Sequence, residues 1–215
     1  MIDAEAVLID LYDTLAWSEW PELRDLICRR LGVSSEALLR AFDETRPERG
    51  QGSYDGLEAD WSAVLRACAI EPDGALVDEL IDLERDFLLG GVHLHDDSLP
   101  VLRALRERAV KTAVVSNCSR STRPVVDRLG LEDEVDAVIL SFEVGAAKPR
   151  PEIYRAALER LEVEASSQVI FVDDQERYCD GAAALGLRAV LIDRRGDPSP
   201  AEHPVIRSLF EVLDV

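Results

Sequence analysis

The chain alternates between short, uninterrupted apolar runs and longer segments whose apolar residues recur at helical spacing. Such runs are typical of buried strands in a parallel sheet. We predict strands over residues 7–9, 112–115, 137–140, 169–172 and 189–192, with helices between the later ones. Strands that alternate with helices predict an α/β fold with right-handed crossovers and a parallel sheet.

Residues 16–90 show only helical patterns, and the α/β alternation resumes after Gly90-Gly91. The sequence therefore predicts a core of residues 1–15 and 91–215 and a four-helix cap of residues 16–90, inserted after the first strand. Thr45 to Ser53 is rich in Gly, Pro and Arg, and we predict a loop there. The last segment, 205–213, is predicted to be a helix.

Length and charge limit the partners that we expect. With 215 residues and a net charge of −19, the surface should repel nucleic acid and anionic membranes. The acidic N-terminal residues do not form a secretory signal, and no apolar run is long enough to cross a bilayer, so we expect a cytoplasmic protein. It is expected to be a monomer or a homodimer, with its four cysteines as free thiols.

Polar residues follow three of the predicted strands at the point where each ends: Asp10, Ser116-Asn117 and Asp173-Asp174. A loop after a fourth strand carries Lys148, one of only two lysines in the chain. The carboxyl ends of parallel strands meet at one edge of a sheet, where such folds bind ligands. We therefore expect these side chains to converge.

Each residue type has chemistry to offer at that edge. The carboxylate of Asp10 could attack an electrophilic phosphorus or carbon and form a covalent intermediate. Asp10 with Asp173 and Asp174 would make a Mg²⁺ site, since a hard cation offsets the repulsion among carboxylates. Ser116 could hold phosphate oxygens together with backbone N–H groups, and Lys148 is a compact cation that can reach an anionic cluster.

The order Asp-x-x-x-Thr, Ser-Asn, Lys-Pro and Asp-Asp, with a helical insert after the first strand, resembles the haloacid dehalogenase-like (HAD) hydrolase superfamily with a C1 cap. The resemblance implies a Rossmann-like core and Asp10 as the nucleophile. It implies substrate binding by Thr14, Ser116, Asn117 and Lys148. In phosphatases of the family Mg²⁺ is bound by the residues that match Asp10, the Tyr12 carbonyl and Asp174, with the residue that matches Asp173 acting through water.

One position departs from the phosphatase pattern. Phosphatases of the family usually have a second Asp, a general acid and base, where this chain has Tyr12. A Tyr at this position resembles the pattern of the 2-haloacid dehalogenases, which need neither that acid nor Mg²⁺. Those enzymes usually lack the pair of acids that this chain keeps as Asp173-Asp174. Tyr12 thus belongs to the candidate catalytic residues in either reading.

The resemblance favours a Mg²⁺-dependent phosphatase that acts on a small phosphorylated metabolite through an aspartyl-phosphate. A dehalogenase for a short 2-haloacid is the alternative, and a weakened HAD-fold binding protein is a third. Specificity is expected in the cap, where Arg46 on the predicted loop could contact an anionic substrate.

Overall fold

The computed structural model describes residues 3–196 and 202–214. Its strands are β1 (Ala6–Ile9), β2 (Ala16–Ser18), β3 (Val92–Leu94), β4 (Lys111–Ser116), β5 (Ala137–Leu140), β6 (Val169–Asp173), β7 (Arg188–Ile192) and β8 (Val205–Ile206). Its α-helices are α1 (Trp20–Leu31), α2 (Ser35–Gly50), α3 (Leu57–Ala67), α4 (Gly74–Gly91), α5 (Ser98–Glu107), α6 (Arg123–Leu129), α7 (Leu131–Glu134), α8 (Ser141–Val144), α9 (Pro151–Leu161) and α10 (Glu176–Ala183). Short 3₁₀ helices span Arg120–Thr122 and Leu209–Asp214.

Six parallel strands form the main sheet in the order β5-β4-β1-β6-β7-β8. The central strand β1 pairs with β4 on one side and with β6 on the other, so that Ile9 lies between Val114 and Val172. This register brings the ends of β1, β4 and β6 together at one edge. The predicted α/β fold with a parallel sheet is confirmed.

The apolar runs are uninterrupted because helices cover both faces of the sheet. Alternate residues of β1 point to opposite faces: Val7 and Ile9 pack with one buried cluster, Ala6 and Leu8 with the other. The second of these clusters includes Ile153 and Tyr154 of α9. The strands and helices of the core are thus fixed by burial on two sides.

The helices α1 to α4 form an insertion with a separate apolar core, as the sequence predicts. Its fully buried residues are Leu23, Ile27, Leu38, Leu65 and Leu80. The antiparallel pair β2–β3 joins the insertion to the main sheet, and Trp17 of β2 stacks on His93 of β3 with ring centroids 4.7 Å apart. Boundaries at 15/16 and 90/91 stay a prediction, and residues 1–2, 197–201 and 215 of the predicted core lie outside the described residues.

The predicted loop after Thr45 is wrong in its first half, because α2 continues through Pro47 to Gly50. Thr45 Oγ1 donates to the Ala41 carbonyl, and Arg49 donates to the Phe42 carbonyl while its guanidinium covers the Phe42 ring. These contacts outweigh the low helix propensity of proline and glycine in this stretch.

The predicted final helix over 205–213 is also wrong. Val205 and Ile206 instead pair with Leu191 and Ile192 as β8, where β-branched residues extend the edge of the sheet. A 3₁₀ helix follows at Leu209–Asp214. Among the described helices, none combines the length and apolarity that a membrane span needs.

Candidate active site

A tight turn places Asp10 at the carboxyl end of β1. The backbone N–H groups of Leu15 and Ala16 both donate to the Leu11 carbonyl, and Asp13 turns the chain with a φ of 61°. Asp tolerates this left-handed conformation better than most residues with a side chain. Asp10 is 6% exposed, and its backbone N–H donates to the Val172 carbonyl of β6 at 2.9 Å.

A residue that follows β7 holds the same turn in place. Arg194, which follows β7, donates two hydrogen bonds to the Thr14 carbonyl, at 3.0 and 2.7 Å. It also forms an ion pair with Asp97 at 2.9 Å. No sequence motif pointed to Arg194, because its contribution depends on the sheet order.

Lys148 lies between two buried carboxylates. Its Nζ is 2.5 Å from Oδ1 of Asp10 and 2.6 Å from Oδ2 of Asp173, and the Lys148 side chain is 1% exposed. Burial alone would lower the pKa of Lys148, but the charges of Asp10 and Asp173 outweigh this effect and raise it. The ammonium therefore stays charged at neutral pH, and the predicted convergence of these three residues is observed.

Asn117 binds the backbone of Lys148 through its side-chain amide. Its Oδ1 accepts from the Lys148 N–H at 2.7 Å, and its Nδ2 donates to the Lys148 carbonyl at 2.9 Å. Both ends of the amide are used in this way. We interpret Asn117 as a positioning residue, although the sequence placed it among the substrate-binding residues.

Asp10, Asp173 and Asp174 offer carboxylate oxygens that all lie within 4.8 Å of one another. Burial raises the pKa of Asp174 to about 6, and the negative charges of Asp10 and Asp13 add to this shift. Burial also raises the pKa of Asp10, against the effect of the Lys148 ammonium. Three crowded carboxylates and one ammonium leave an excess of negative charge, so the residues fit a divalent cation with oxygen ligands.

Two hydroxyls beside this cluster are buried without a partner among the described residues: Oγ1 of Thr14 and Oγ of Ser116. Buried hydroxyls are normally hydrogen-bonded, so an unpaired one calls for an explanation. Thr14 lies in the turn after β1 and Ser116 is the last residue of β4, and both hydroxyls can donate to an oxyanion. The arrangement suits an anionic group held between the hydroxyls and the Lys148 ammonium.

The Tyr12 hydroxyl contacts the segment that follows β4. It lies 3.2 Å from Oγ1 of Thr122. Burial raises the pKa of Tyr12 above its usual 10, so the phenol stays protonated and is a weak acid. The Tyr12 phenol therefore does not take over the proton-donating role of the Asp that phosphatases of the family have at this position.

Arg46 does not reach the site in this structure. It lies on α2 rather than on a loop, its side chain is 66% exposed, and it forms an ion pair with Asp43 on the same helix at 2.7 Å. Arg49, one turn later, points inward instead and lines a pocket with Asp60 and Glu84. Asp60 and Glu84 have no recognisable signal in the sequence, because they come together only where the inserted helices meet the core.

Comparisons with known proteins all point to one family. A model of the haloacid dehalogenase-like hydrolases matches residues 4–186. The chain is 32% identical over 206 residues to the phosphatase MT3486 of Mycobacterium tuberculosis, which covers 83% of this chain and 94% of that protein. It is 33% identical over 153 residues to (S)-2-haloacid dehalogenase 1 of a Pseudomonas species, with 67% of this chain and 65% of that protein covered.

Among solved structures, a HAD phosphatase from Thermococcus onnurineus superposes with a TM-score of 0.69 at 28% identity. The match covers 98% of this chain and 96% of that one. The chain is thus similar to both phosphatases and a dehalogenase.

Proposed function

This chain belongs to the haloacid dehalogenase-like hydrolases, and we propose that within the family it is a Mg²⁺-dependent phosphatase acting on a small phosphorylated metabolite. The observation that carries the proposal is the acid cluster of Asp10, Asp173 and Asp174 around Lys148. The dehalogenase reaction does not require a third carboxylate at this place. A divalent cation does, because the carboxylates supply its oxygen ligands. The similarity to phosphatase MT3486 supports the same choice.

Asp10 is the proposed nucleophile, which attacks the phosphorus and displaces the leaving-group oxygen, so that an aspartyl-phosphate forms. Water then attacks the phosphorus of this intermediate and releases phosphate and free Asp10. Lys148 and the hydroxyls of Ser116 and Thr14 would hold the phosphoryl oxygens. Asn117 would keep Lys148 in place.

The acid cluster is the proposed holder of Mg²⁺, with Asp10, Asp173, Asp174 and the Tyr12 carbonyl as its candidate ligands. When bound, the ion would neutralise the negative charge that builds up between the nucleophile and the phosphoryl group. Without a carboxylic acid at position 12, protonation of the leaving group is weak. We therefore expect the enzyme to favour esters with good leaving groups, or to take the proton from water.

The metal proposal is tested with Asp174→Asn, which removes one negative charge and keeps the side-chain shape. Phosphate release from an aryl phosphate should then lose its dependence on Mg²⁺ and fall to near background. Asp180→Asn is the matched control, since Asp180 is an exposed acid that pairs with His203 on the surface. Full turnover in Asp174→Asn would count against the proposal.

A 2-haloacid dehalogenase is the second candidate, because Tyr12 stands where those enzymes have Tyr and because the chain is similar to a dehalogenase of this class. In that reaction Asp10 would attack carbon and displace halide. Halide release from a short 2-haloacid, equal with and without chelator, would establish this function. Its absence under both conditions would remove it.

A further inference from the structure

Two aromatic rings lie beside the Lys148 ammonium. The Nζ of Lys148 is 5.1 Å from the ring centroid of Tyr178 and 5.6 Å from that of Phe171. A cation within about 6 Å of a ring centroid, over the ring face, is attracted by the negative charge of that face. The ammonium therefore has aromatic partners besides the carboxylates of Asp10 and Asp173.

The contact between Lys148 and Tyr178 is shielded from water. The Lys148 side chain is 1% exposed and Tyr178 is 7% exposed. A cation–π contact is strongest where both partners are desolvated, because water no longer competes for the cation. We therefore expect this contact to contribute more than a similar one on the surface would.

The protein holds the Tyr178 ring from more than one side. The Tyr178 carbonyl accepts a hydrogen bond from the Tyr154 hydroxyl at 2.7 Å. The guanidinium of Arg177 lies over the same ring, 4.6 Å from its centroid, and Arg177 Nη2 donates to the Tyr178 hydroxyl at 2.8 Å. The ring thus has a fixed position next to the ammonium.

Close packing at Gly181 brings α10 against the segment that carries Lys148. A Cβ at position 181 would lie 2.7 Å from Cβ of Pro149 and 2.9 Å from the Tyr154 hydroxyl. So close an approach requires a residue without a side chain. Tyr178 lies one turn before Gly181 on α10, and Pro149 directly follows Lys148, so this packing sets the distance between the ring and the ammonium.

The ring also leaves the hydrogen bonds of the ammonium free. Of the three N–H groups of Lys148, two have acceptors among the described residues: Asp10 Oδ1 at 2.5 Å and Asp173 Oδ2 at 2.6 Å. A ring face attracts the charge as a whole, so it stabilises the ammonium without supplying another oxygen acceptor. One N–H is left for a phosphoryl oxygen of the substrate.

We propose that Tyr178 is a positioning residue, whose ring face keeps the Lys148 ammonium between Asp10 and Asp173 and so orients it toward the phosphoryl group. This inference rests on the proposed phosphatase function. The Tyr178 hydroxyl is not needed for this role, because it contacts Arg177. The electron density of the ring face, rather than the volume of the ring, should determine the rate.

The test replaces Tyr178 with phenylalanine and with phenylalanines that carry one, two or three ring fluorines. Fluorine draws electron density from the ring face and changes the ring size little, so the series weakens the cation–π contact without opening a cavity. For an aryl phosphate, kcat/KM should stay within about twofold of the wild type in Tyr178→Phe and then fall with each fluorine, by about tenfold over the series. Measurable rates that are equal across the series would overturn the inference.

Phe87 is the matched control position. It packs against the apolar core of the insertion, and no Lys or Arg lies over its ring in the described part of the chain. The same fluorinated residues at position 87 should leave kcat/KM within about twofold of the wild type, since they change little but charge distribution. A fall at position 87 as large as that at position 178 would also overturn the inference.

A measurement on Lys148 itself separates this inference from the proposed function. The chain has only two lysines, Lys111 and Lys148, so lysine labelled with ¹³C at Cε gives two NMR signals. The order parameter of the Lys148 Cε should fall as fluorines are added at position 178, while that of Lys111 stays constant.

The two proposals then fail in different ways. If the wild type hydrolyses no phosphate ester but the Lys148 order parameter still falls along the series, the phosphatase proposal fails and the positioning role of Tyr178 stands. If the Lys148 order parameter is the same in all variants, the positioning role fails, whatever the rates. Circular dichroism of each variant shows that folded proteins are compared.

Discussion

Asn117 and Lys148 hold each other through a reciprocal pair of hydrogen bonds, Lys148 N–H to Asn117 Oδ1 at 2.7 Å and Asn117 Nδ2 to the Lys148 carbonyl at 2.9 Å. The two residues are 31 positions apart in the chain. Their contact links the loop after β4 to the loop before α9, and it sets where the Lys148 ammonium stands relative to Asp10. The position of the charge thus depends on a neutral side chain.

Replacing Asn117 with Ala should lower kcat/KM for an aryl phosphate by about tenfold or more, because Lys148 loses both bonds that fix its backbone. The control is Gln168→Ala, which removes an exposed amide side chain and should leave the rate within about twofold. Steady-state kinetics on both variants check this expectation. Wild-type kinetics in a folded Asn117→Ala protein would show that these two hydrogen bonds do not position Lys148.

Replacing Lys148 with Met should destabilise the chain strongly when a chelator is present. Asp10 and Asp173 would then share a buried site without a cation, a loss of about 3–5 kcal/mol. Mg²⁺ should restore part of this stability, since it supplies positive charge to the same carboxylates. Urea denaturation with EDTA and with Mg²⁺ measures both effects.

The other lysine offers the matched comparison. Lys111 donates to the Leu161 carbonyl and contacts no carboxylate of the acid cluster, so Lys111→Met should cost about 1 kcal/mol and be insensitive to Mg²⁺. If Lys148→Met responded to Mg²⁺ no more than Lys111→Met does, the cluster would not be a cation site.

The sequence predicted the sheet and the convergence of Asp10, Lys148 and Asp173 because both follow from local rules. Buried parallel strands have a recognisable apolar run, and residues after such strands meet at one edge. The predicted loop around Arg46 is wrong because the composition of this stretch does not show the contacts that Phe42 makes with Arg49.

Asp60 could not have been found from the sequence. It is one of 43 acidic residues in the chain, and its position on α3 has no local mark that separates it from exposed acids such as Glu58. Its burial depends on Arg49, Glu84 and Ser121 coming together from α2, α4 and the core. The pattern of hydrophobic residues along the sequence does not predict long-range packing of this kind.

Tyr12→Phe should leave the dependence of the rate on the leaving group unchanged. The Tyr12 hydroxyl contacts Thr122, and its raised pKa makes it a poor proton donor, so its removal takes no acid from the reaction. Rates for a series of aryl phosphates with increasing phenol pKa test this expectation. A steeper fall in Tyr12→Phe than in the wild type would identify Tyr12 as the general acid.

The stability of the chain should depend on pH through Asp60. Burial raises its pKa from 3.8 to about 6, while Arg49 from α2 and Arg120 from the core oppose this shift and Glu84 from α4 adds to it. Between these two pKa values the folded state binds more protons than the unfolded state, so the free energy of unfolding falls as pH rises through that window.

Asp60→Asn removes this titration and should be more stable than the wild type above pH 6, by about 1–2 kcal/mol. The difference should shrink as the pH falls from 6 toward 4, because the folded wild-type carboxyl takes up its proton in this range. Urea denaturation across this range gives the two curves. Parallel curves would show that Asp60 does not titrate with a raised pKa.

The most direct test of the account is phosphate release from an aryl phosphate by the wild type and by Asp10→Asn, each with Mg²⁺ and with EDTA. We predict that release requires Mg²⁺ and that Asp10→Asn lowers it by about a thousandfold or more, because the proposed nucleophile is lost. Release that is equal in EDTA, or that survives in Asp10→Asn, would contradict the central claim of metal-dependent catalysis through Asp10.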